Sequence, residues 1–277
     1  MSTSVVLRRR LASELRALRH RASLSQEEVA LHLGSAVSKI VRIESAQSTV
    51  SVSDLRAMLD IYEATDPELR DRLIDLARNA RKRGGWWSAY RDLLPGPYVA
   101  LEAEASEVRN YEPSVIPGLL QTEDYARAFI SSSPRLNTEE VERRVAARMH
   151  RQQRLYTDPL LQVRAVLDEA VLHRPAGRAE TMRAQLGHLI ELGELPNVGI
   201  QVLPQEIGLY PAIGYPFVIV GFPPPDPDIV LIETRVGEHY LHEAHEIAVF
   251  ATDFDHLRDR ALDEHGSATL IKRLIEE

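Results

Sequence analysis

Residues 25–44, SQEEVALHLGSAVSKIVRIE, constrain the fold of this chain more than any other segment. Ser25 precedes Glu28 by three residues, which is the spacing at which a serine and a glutamate together cap the start of a helix. Gly34 follows where a left-handed residue would end that helix, and glycine adopts this conformation at little cost. The segment therefore predicts two short helices joined by a tight turn.

The apolar residues of this segment indicate how the two helices meet. Val29 and Leu33 share one helical face with Ala30, which is small at the point where a crossing helix would press against it. In the second helix, Val37, Ile40 and Ile43 are the spaced apolar residues, and Ser38, Lys39, Val41 and Arg42 lie between them. Two helices that cross at about 90–120° in this way form a helix-turn-helix, whose second helix enters the major groove of DNA. An ordinary helical hairpin within a bundle is the alternative interpretation.

Further motifs make nearly the whole chain resemble one family. The segments Leu24–Gly34 (LSQEEVALHLG) and Ser38–Glu44 (SKIVRIE) resemble the Xre, or Cro/repressor-like, helix-turn-helix family. The segments LEAEASEVRNYEPSVIPGLLQTEDYARAFI, VLDEAVLHRP and ELPNVGIQVLP, with the acidic tail, resemble the long C-terminal module of actinobacterial Xre-family regulators. The resemblance implies a transcriptional regulator or an antitoxin-like repressor, often encoded beside a small partner protein. It implies no biochemical activity for the C-terminal module.

The same resemblance implies which side chains contact DNA. Gln26, at the start of the first motif helix, is expected to contact a phosphate group. On the outward face of the second helix, Arg42 can bond both acceptors of a guanine, and Val37 can contact a thymine methyl group. The DNA-contacting residues implied in this way are Gln26, Ser35, Val37, Ser38, Lys39 and Arg42.

Three positions depart from the family pattern. Ser35 occupies a position that is usually apolar, and Ala36 stands where a helix-capping serine or threonine is usual. Ala46 replaces the usual glycine after the second helix. We therefore expect Ser35 to cap the second helix one residue early, which would lengthen that helix slightly.

The helix-turn-helix is predicted to lie within an all-α domain of five helices over residues 1–83. In the first of these helices, at about residues 6–21, leucines recur at helical spacing and form a buried stripe. The family alignment places Arg19 of this helix opposite Glu44, so we expect a structural ion pair between the two side chains.

Residues 84–97 are predicted to link this domain to a second one, because they contain glycines, prolines and the pair Trp86-Trp87. Residues 98–277 predict an α+β domain with four or five short, mostly antiparallel strands. The pattern is helical to about Arg109, and strands are predicted later, at 161–167, 198–203, 217–222, 229–233 and 238–241. We expect a regulatory pocket or groove between such strands and the helices that cover them, and a fully packed core without a cavity is the alternative.

Charge is unevenly distributed between the two predicted domains. The whole chain carries 33 Lys and Arg against 41 Asp and Glu, for a net charge of −8. Residues 1–83 carry 15 against 11, whereas the remaining residues carry 18 against 30. A basic domain on an acidic body suits a protein that reads DNA. The chain has no cysteine, no secretory signal pattern and no apolar run long enough for a membrane span, so we expect a cytoplasmic protein without membrane partners.

Two polar clusters are candidates for other chemistry. Asp168 and Glu169 follow a predicted strand, where paired acids can act in acid–base catalysis, but no phosphate loop or nucleophile motif accompanies them. His239, His242 and His245 are spaced by three, so a helix would bring only two of them together as metal ligands. We expect a structural role for the acids and a solvated turn for the histidines, with no catalysis, metal or cofactor.

Together these patterns predict a sequence-specific transcriptional regulator. The N-terminal domain is expected to bind double-stranded DNA. The C-terminal domain is expected to form a homodimer and to sense a small-molecule effector or a protein partner. The alternative hypothesis is an antitoxin-like protein that neutralises a small partner protein while it regulates its own gene.

Overall fold

The computed structural model of the chain describes residues 4–81, 85–90, 92–94, 96–210, 212–224, 226–234 and 236–276. The chain forms two compact units, Met1–Ala89 and Tyr90–Glu277. The boundary between the units falls within the predicted linker, of which Gly84, Arg91 and Pro95 lie outside the described residues. No helix in the described part of the chain is long and apolar enough to span a membrane.

The first unit is all-helical, which confirms the predicted N-terminal fold class. Its helices are α1 (Ser4–Arg21), α2 (Gln26–His32), α3 (Val37–Glu44), α4 (Val52–Ile61) and α5 (Pro67–Ala80), and a short 3-10 turn follows at Trp86–Tyr90. Side chains cap the starts of three helices: Ser25 caps α2, Ser51 caps α4 and Asp66 caps α5. Each of them accepts a hydrogen bond from a backbone N–H that would otherwise have no partner in the first turn.

One apolar core joins the five helices of this unit. Its almost completely buried members include Leu15, Val29, Ile40, Leu55, Met58, Leu59 and Leu73. Burial of each such side chain stabilises the fold by about 1.5–3 kcal/mol relative to leaving it exposed. The core therefore holds α2 and α3 in place and determines which face of α3 remains outside.

The second unit combines a sheet with several helices. Its strands are β1 (Glu107–Glu112), β2 (Gln162–Asp168), β3 (Val198–Leu203), β4 (Phe217–Gly221), β5 (Ile229–Thr234) and β6 (Gly237–Leu241). Its helices are α6 (Tyr98–Glu102), α7 (Glu123–Ser131), α8 (Thr138–Gln152), α9 (Glu169–His173), α10 (Ala179–Gly193), α11 (Ala244–Arg260) and α12 (Glu264–Glu276). Short 3-10 turns lie at Gly118–Leu120, Gln153–Leu155 and Gln205–Ile207.

The six strands form one mixed sheet in the order β3-β2-β1-β4-β5-β6. The pairs β1–β2 and β2–β3 are parallel, and the pairs β1–β4, β4–β5 and β5–β6 are antiparallel. The predicted α+β class is confirmed, and three of the five pairings are antiparallel. The described sheet has six strands rather than the expected four or five.

β1 accounts for this difference, and the expectation of a helix to Arg109 is wrong. The helix α6 ends at Glu102, and β1 then occupies Glu107–Glu112. The strand sequence EVRNYE carries three charged residues, so it lacks the continuous apolar run that is typical of a strand buried on both faces. Val108 of β1 pairs with Val163 of β2 on one side and with β4 on the other. Its conformation therefore depends on pairing with distant segments rather than on local sequence.

α11 covers part of the sheet with aromatic and aliphatic side chains. Phe254 and Leu257 of this helix form one buried cluster with Tyr111 of β1 and with Phe217 and Ile219 of β4. The ring centroids of Phe217 and Phe254 lie 6.5 Å apart in an edge-to-face arrangement, which is favourable for aromatic pairs. This cluster ties the middle of the sheet to the C-terminal part of the chain.

Candidate nucleic-acid interface

α2 begins and ends where its local sequence predicts. The hydroxyl of Ser25 accepts a hydrogen bond from the backbone N–H of Glu28 over 3.1 Å, and the Glu28 carboxylate accepts one from the Ser25 N–H over 2.7 Å. Gly34 follows the helix with a φ of +62°, the left-handed conformation expected at this turn. The capped start and the glycine turn set the short connection that leads into α3.

α3 has one buried face and one exposed face. Ile40 and Ile43 are almost completely buried, in the same cluster as Val29 and Ala30 of α2. The exposed residues within α3 are Val37, Ser38, Val41 and Arg42. Because these four positions recur at intervals of three and four residues, their side chains share one face of the helix. We call these four residues the outward face of α3.

Arg42 and two valines give the outward face its chemical character. The Nε of Arg42 donates a hydrogen bond to the backbone carbonyl of Ser38 over 3.2 Å, so the side chain lies along the helix. The exposed fraction is 36% for Val37 and 41% for Val41. Sequence analysis did not identify Val41, although its position one turn after Val37 is a signal that could have found it. A guanidinium and two exposed apolar groups can contact guanine acceptors and thymine methyl groups.

A buried ion pair holds the end of α3 to α1. The Nε of Arg19 lies 2.8 Å from Oε1 of Glu44, and its Nη2 lies 3.1 Å from Oε2. The Nη1 of Arg19 also donates to the backbone carbonyl of Leu24 over 2.7 Å. The side chains of Arg19 and Glu44 are 9% and 1% exposed. The structure thus brings together the two residues expected to pair, and their contact constrains the orientation of α3.

Two of the residues implied to contact DNA instead bond to acidic side chains of the first unit. The Nε2 of Gln26 donates to Oε2 of Glu44 over 2.9 Å, which adds Gln26 to the buried ion pair. The Nζ of Lys39 lies 3.0 Å from Oδ2 of Asp54. Burial works against the charge of Asp54, but hydrogen bonds from Ser51 and Lys39 hold its pKa below the ordinary value. Lys39 therefore links α3 to the first turn of α4.

The expectation that Ser35 caps α3 early is wrong. Ala36 precedes the helix without a side-chain capping bond, and α3 begins at Val37 without being lengthened. The backbone N–H of Ser35 donates to the carbonyl of Ala30 over 2.9 Å, so Ser35 belongs to the turn that ends α2. Its hydroxyl oxygen is buried and has no hydrogen-bond partner among the described residues. Ser35 therefore does not contribute to the outward face of α3.

Asp168 and Glu169 bind backbone donors at the end of β2. Asp168 caps α9, and its Oδ1 accepts a hydrogen bond from the N–H of Ala170 over 2.8 Å. Its Oδ2 accepts a short hydrogen bond from the hydroxyl of Tyr210. The Oε2 of Glu169 accepts one from the backbone N–H of Gln205 over 2.8 Å. Both carboxylates thus join segments of the second unit.

The three candidate metal-binding histidines do not share one secondary-structure element. His239 lies in β6, His242 follows that strand, and His245 lies in the first turn of α11. Among the residues that the structure describes, no group of three or more histidine, aspartate or glutamate side chains is arranged to hold a metal ion.

The helices of the first unit form a helix-turn-helix domain, and this class of domain supports DNA binding. Residues 10–73 match the family described as a helix-turn-helix domain. Residues 96–273 match the family described as a domain of unknown function, DUF5753. Because that match covers more than half of the chain, the chain belongs to the DUF5753 family. Comparison with curated proteins and with solved structures gives no match.

Proposed function

We propose that this chain is a cytoplasmic, Xre-type transcriptional regulator that reads double-stranded DNA with α3. The observation that carries the proposal is the two-sided character of this helix, in which Ile40 and Ile43 are buried while Ser38 and Arg42 are exposed. A helix anchored in this way can enter the major groove without exposing its core. The helix-turn-helix match to residues 10–73 supports the same function.

Five side chains at or beside the outward face of α3 have distinct proposed roles. Arg42 reads a base edge, and Val37 and Val41 contact thymine methyl groups. Gln26 lies at the N-terminus of α2, where it can also approach a phosphate, and thereby positions the protein without reading sequence. Lys39 reaches DNA only when its ion pair with Asp54 opens.

Selection from a random duplex library with the full chain tests this proposal. We expect enrichment of one sequence motif, measured at a stated salt concentration because phosphate contacts make affinity depend on salt. Ser38→Glu places a negative charge on the outward face of α3 and should abolish enrichment. Ser13→Glu is the matched control, because Ser13 is an exposed serine of α1 outside the proposed interface. Failure of the unaltered chain to enrich any motif would refute the proposal.

The regulator is further proposed to act as a homodimer, assembled largely through residues beyond Gly85. One helix-turn-helix offers few base contacts, which give too little specificity to find one site in a genome. A two-fold dimer would read half-sites about 34 Å apart or a multiple of that distance. Light scattering should therefore give the dimer mass at micromolar concentration. A monomer mass, both free and on DNA, would contradict this assembly.

One observation favours the antitoxin-like alternative, in which the second unit binds a small protein. Leu209 is 85% exposed and Tyr215 is 75% exposed, both in the loop between β3 and β4, with the exposed Ile213 between them. Clustered exposed apolar groups are typical of protein-binding surfaces. This alternative predicts that the product of a neighbouring small gene copurifies with the chain and that Tyr215→Ser weakens the complex. If the small protein copurifies equally well with Tyr215→Ser, this loop is not the surface that binds it.

A further inference from the structure

A pocket of about 250 Å³ opens between α7 and α8 in the second unit. It lies beside helices rather than between the sheet and its covering helices, where a pocket was expected. Its apolar wall includes Phe129, Ile130 and Leu136, and its other side carries the arginines Arg144, Arg148 and Arg151. Spacings of four and three residues place these arginines on one face of α8.

One of the three arginines is neutralised by a carboxylate. The Nε and Nη2 of Arg151 donate to the two carboxylate oxygens of Glu102 over 2.7 and 2.6 Å. Glu102 also accepts a hydrogen bond from the hydroxyl of Tyr98 over 2.9 Å and is 1% exposed. Burial acts against the charge of Arg151, but Glu102 raises its pKa above the ordinary value. The Glu102 carboxylate therefore neutralises the charge of Arg151, so we expect Arg151 to attract an anionic ligand only weakly.

Arg148 has no carboxylate within ion-pair distance among the described residues. Its Nη1 donates to Oε1 of the neutral Gln121 over 2.7 Å, and its guanidinium lies 5.7 Å from the centroid of the Phe129 ring. Burial and the adjacent charge of Arg151 lower the pKa of Arg148 to about 10, although the charges of Glu233 and Glu102 act in the opposite direction. Arg148 is thus a poorly compensated cation at the wall of the pocket.

Arg144 also lacks a partner for part of its guanidinium group. Its Nε is buried without a hydrogen-bond partner, and Arg144 forms no ion pair within the described part of the chain. Arg144 as a whole is partly exposed, but burying even one N–H group without a partner is unfavourable. The unfavourable contribution disappears when an anion occupies the space between two guanidiniums, because carboxylate and phosphate oxygens accept their paired N–H groups.

We propose that this pocket binds a small organic anion, with its oxyanion group between Arg144 and Arg148 and its apolar body against Phe129, Ile130 and Leu136. A volume of 250 Å³ is just below the about 300–1,000 Å³ that is usual for drug-sized ligands, so the ligand is compact. The proposal rests on the proposed regulatory function and extends the expectation that the C-terminal domain senses a small-molecule effector. It identifies the chemical class of the effector and the side chains that hold it.

Calorimetric titration of the full chain tests this proposal with four probes. The probes are 4-phenylbutyrate, phenyl phosphate, the neutral 4-phenylbutanol and acetate. Saturable binding of a phenyl-bearing anion is expected, with affinity at least about tenfold higher than for the neutral alcohol or for acetate. The ratio of the two phenyl anions distinguishes a carboxylate from a phosphate ligand. Absence of saturable binding by both phenyl anions would overturn the proposal.

Variants separate a ligand-binding role of Arg144 from a structural one. Arg144→Gln and Arg148→Gln should each weaken anion binding at least about tenfold. Arg143→Gln is the control on the same helix, because Arg143 pairs with Asp92 over 2.7 Å instead of lining the pocket. This variant should bind the probe with unchanged affinity. Arg144→Gln should leave the Tm of the ligand-free chain unchanged or raise it. A lowered Tm with unchanged anion affinity would assign Arg144 a structural role and overturn the proposal.

DNA selection and anion titration on the same chain distinguish failure of the pocket proposal from failure of the proposed regulatory function. Anion binding by a chain that selects no DNA would support the pocket and refute the regulator. DNA selection by a chain that binds neither phenyl anion would support the regulator and refute the pocket.

Discussion

Arg19 of α1 and Glu44 of α3 form a buried ion pair that also receives a hydrogen bond from Gln26 of α2. Three helices thus meet at one carboxylate. Because the pair is buried, loss of one partner leaves an uncompensated charge in the core. The contact is therefore a sensitive point for the stability of the first unit.

Glu44→Leu is expected to lower the free energy of unfolding of the first unit by about 3–5 kcal/mol. The double variant Arg19→Met with Glu44→Leu should recover a large part of this loss, because no unpaired charge remains. Urea unfolding of the four proteins in the double-mutant cycle gives the coupling free energy. If the loss of stability in the double variant equals the sum of the losses in the two single variants, the proposed coupling is contradicted.

Ala46→Gly is expected to stabilise the first unit. Ala46 follows α3 with a φ of +59°, a left-handed conformation that costs a residue with a Cβ atom about 1–2 kcal/mol. Glycine lacks this cost but loses more backbone entropy on folding, so the expected gain is about 0.5–1 kcal/mol. Ala17→Gly, at an exposed position within α1, should instead destabilise the unit by about 1 kcal/mol. Equal destabilisation by both substitutions in urea unfolding would show that Ala46 is not strained.

Arg42→Ala and Gln26→Ala are expected to alter DNA binding in different ways. Loss of Arg42 should cost about 1–3 kcal/mol and relax the preference at one base pair, because its guanidinium can span two guanine acceptors. Loss of Gln26 should weaken binding to all sequences alike, because a phosphate contact carries no sequence information. Arg72→Ala is the control, since Arg72 is exposed on α5. In binding-site selection, an unchanged motif with Arg42→Ala would refute the base-reading role and leave a phosphate contact.

Glu112→Gln is expected to make the stability of the second unit less dependent on pH. Burial and the nearby charge of Glu233 raise the pKa of Glu112 from 4.5 to about 8. The folded state therefore favours the protonated acid. The resulting stabilisation is fully present below pH 4.5 and is lost as the pH rises toward 8.

The unaltered chain should consequently lose about 1–3 kcal/mol between pH 5 and pH 8.5 that Glu112→Gln retains, because glutamine resembles the protonated acid. Urea unfolding at the two pH values measures this difference. Glu180→Gln, at an exposed site on α10, is the control and should follow the unaltered chain. Parallel pH dependence of the unaltered chain and Glu112→Gln would exclude Glu112 as the responsible group.

Local signals explain why much of the first unit can be predicted from sequence. Ser25 with Glu28 and Asp66 with Pro67 specify helix starts through contacts within one turn, and the structure forms both starts. Such signals require no knowledge of distant segments. The strand at Val198–Leu203 is predictable for a similar reason, since a short apolar run stands between turn residues.

Features that depend on distant contacts could not be predicted in this way. β1 and the short α9 lack regularly spaced apolar residues, so their structures depend on packing with the rest of the sheet. The ion pair between Lys39 and Asp54 arises only when α4 packs beside α3. The cationic pocket likewise requires α7 to approach α8, although the spacing of its arginines along α8 is visible in the sequence.

The position of β1 has a consequence for the order in which the two units fold during synthesis. β1 lies between β2 and β4, and its Val108 pairs with Val220, so its sheet environment stays incomplete until that later residue has left the ribosome. The first unit makes its core contacts within Met1–Ala89 and can fold while the sheet is still being translated. In the nascent chain, α3 is therefore folded and exposed before the sheet of the second unit has formed.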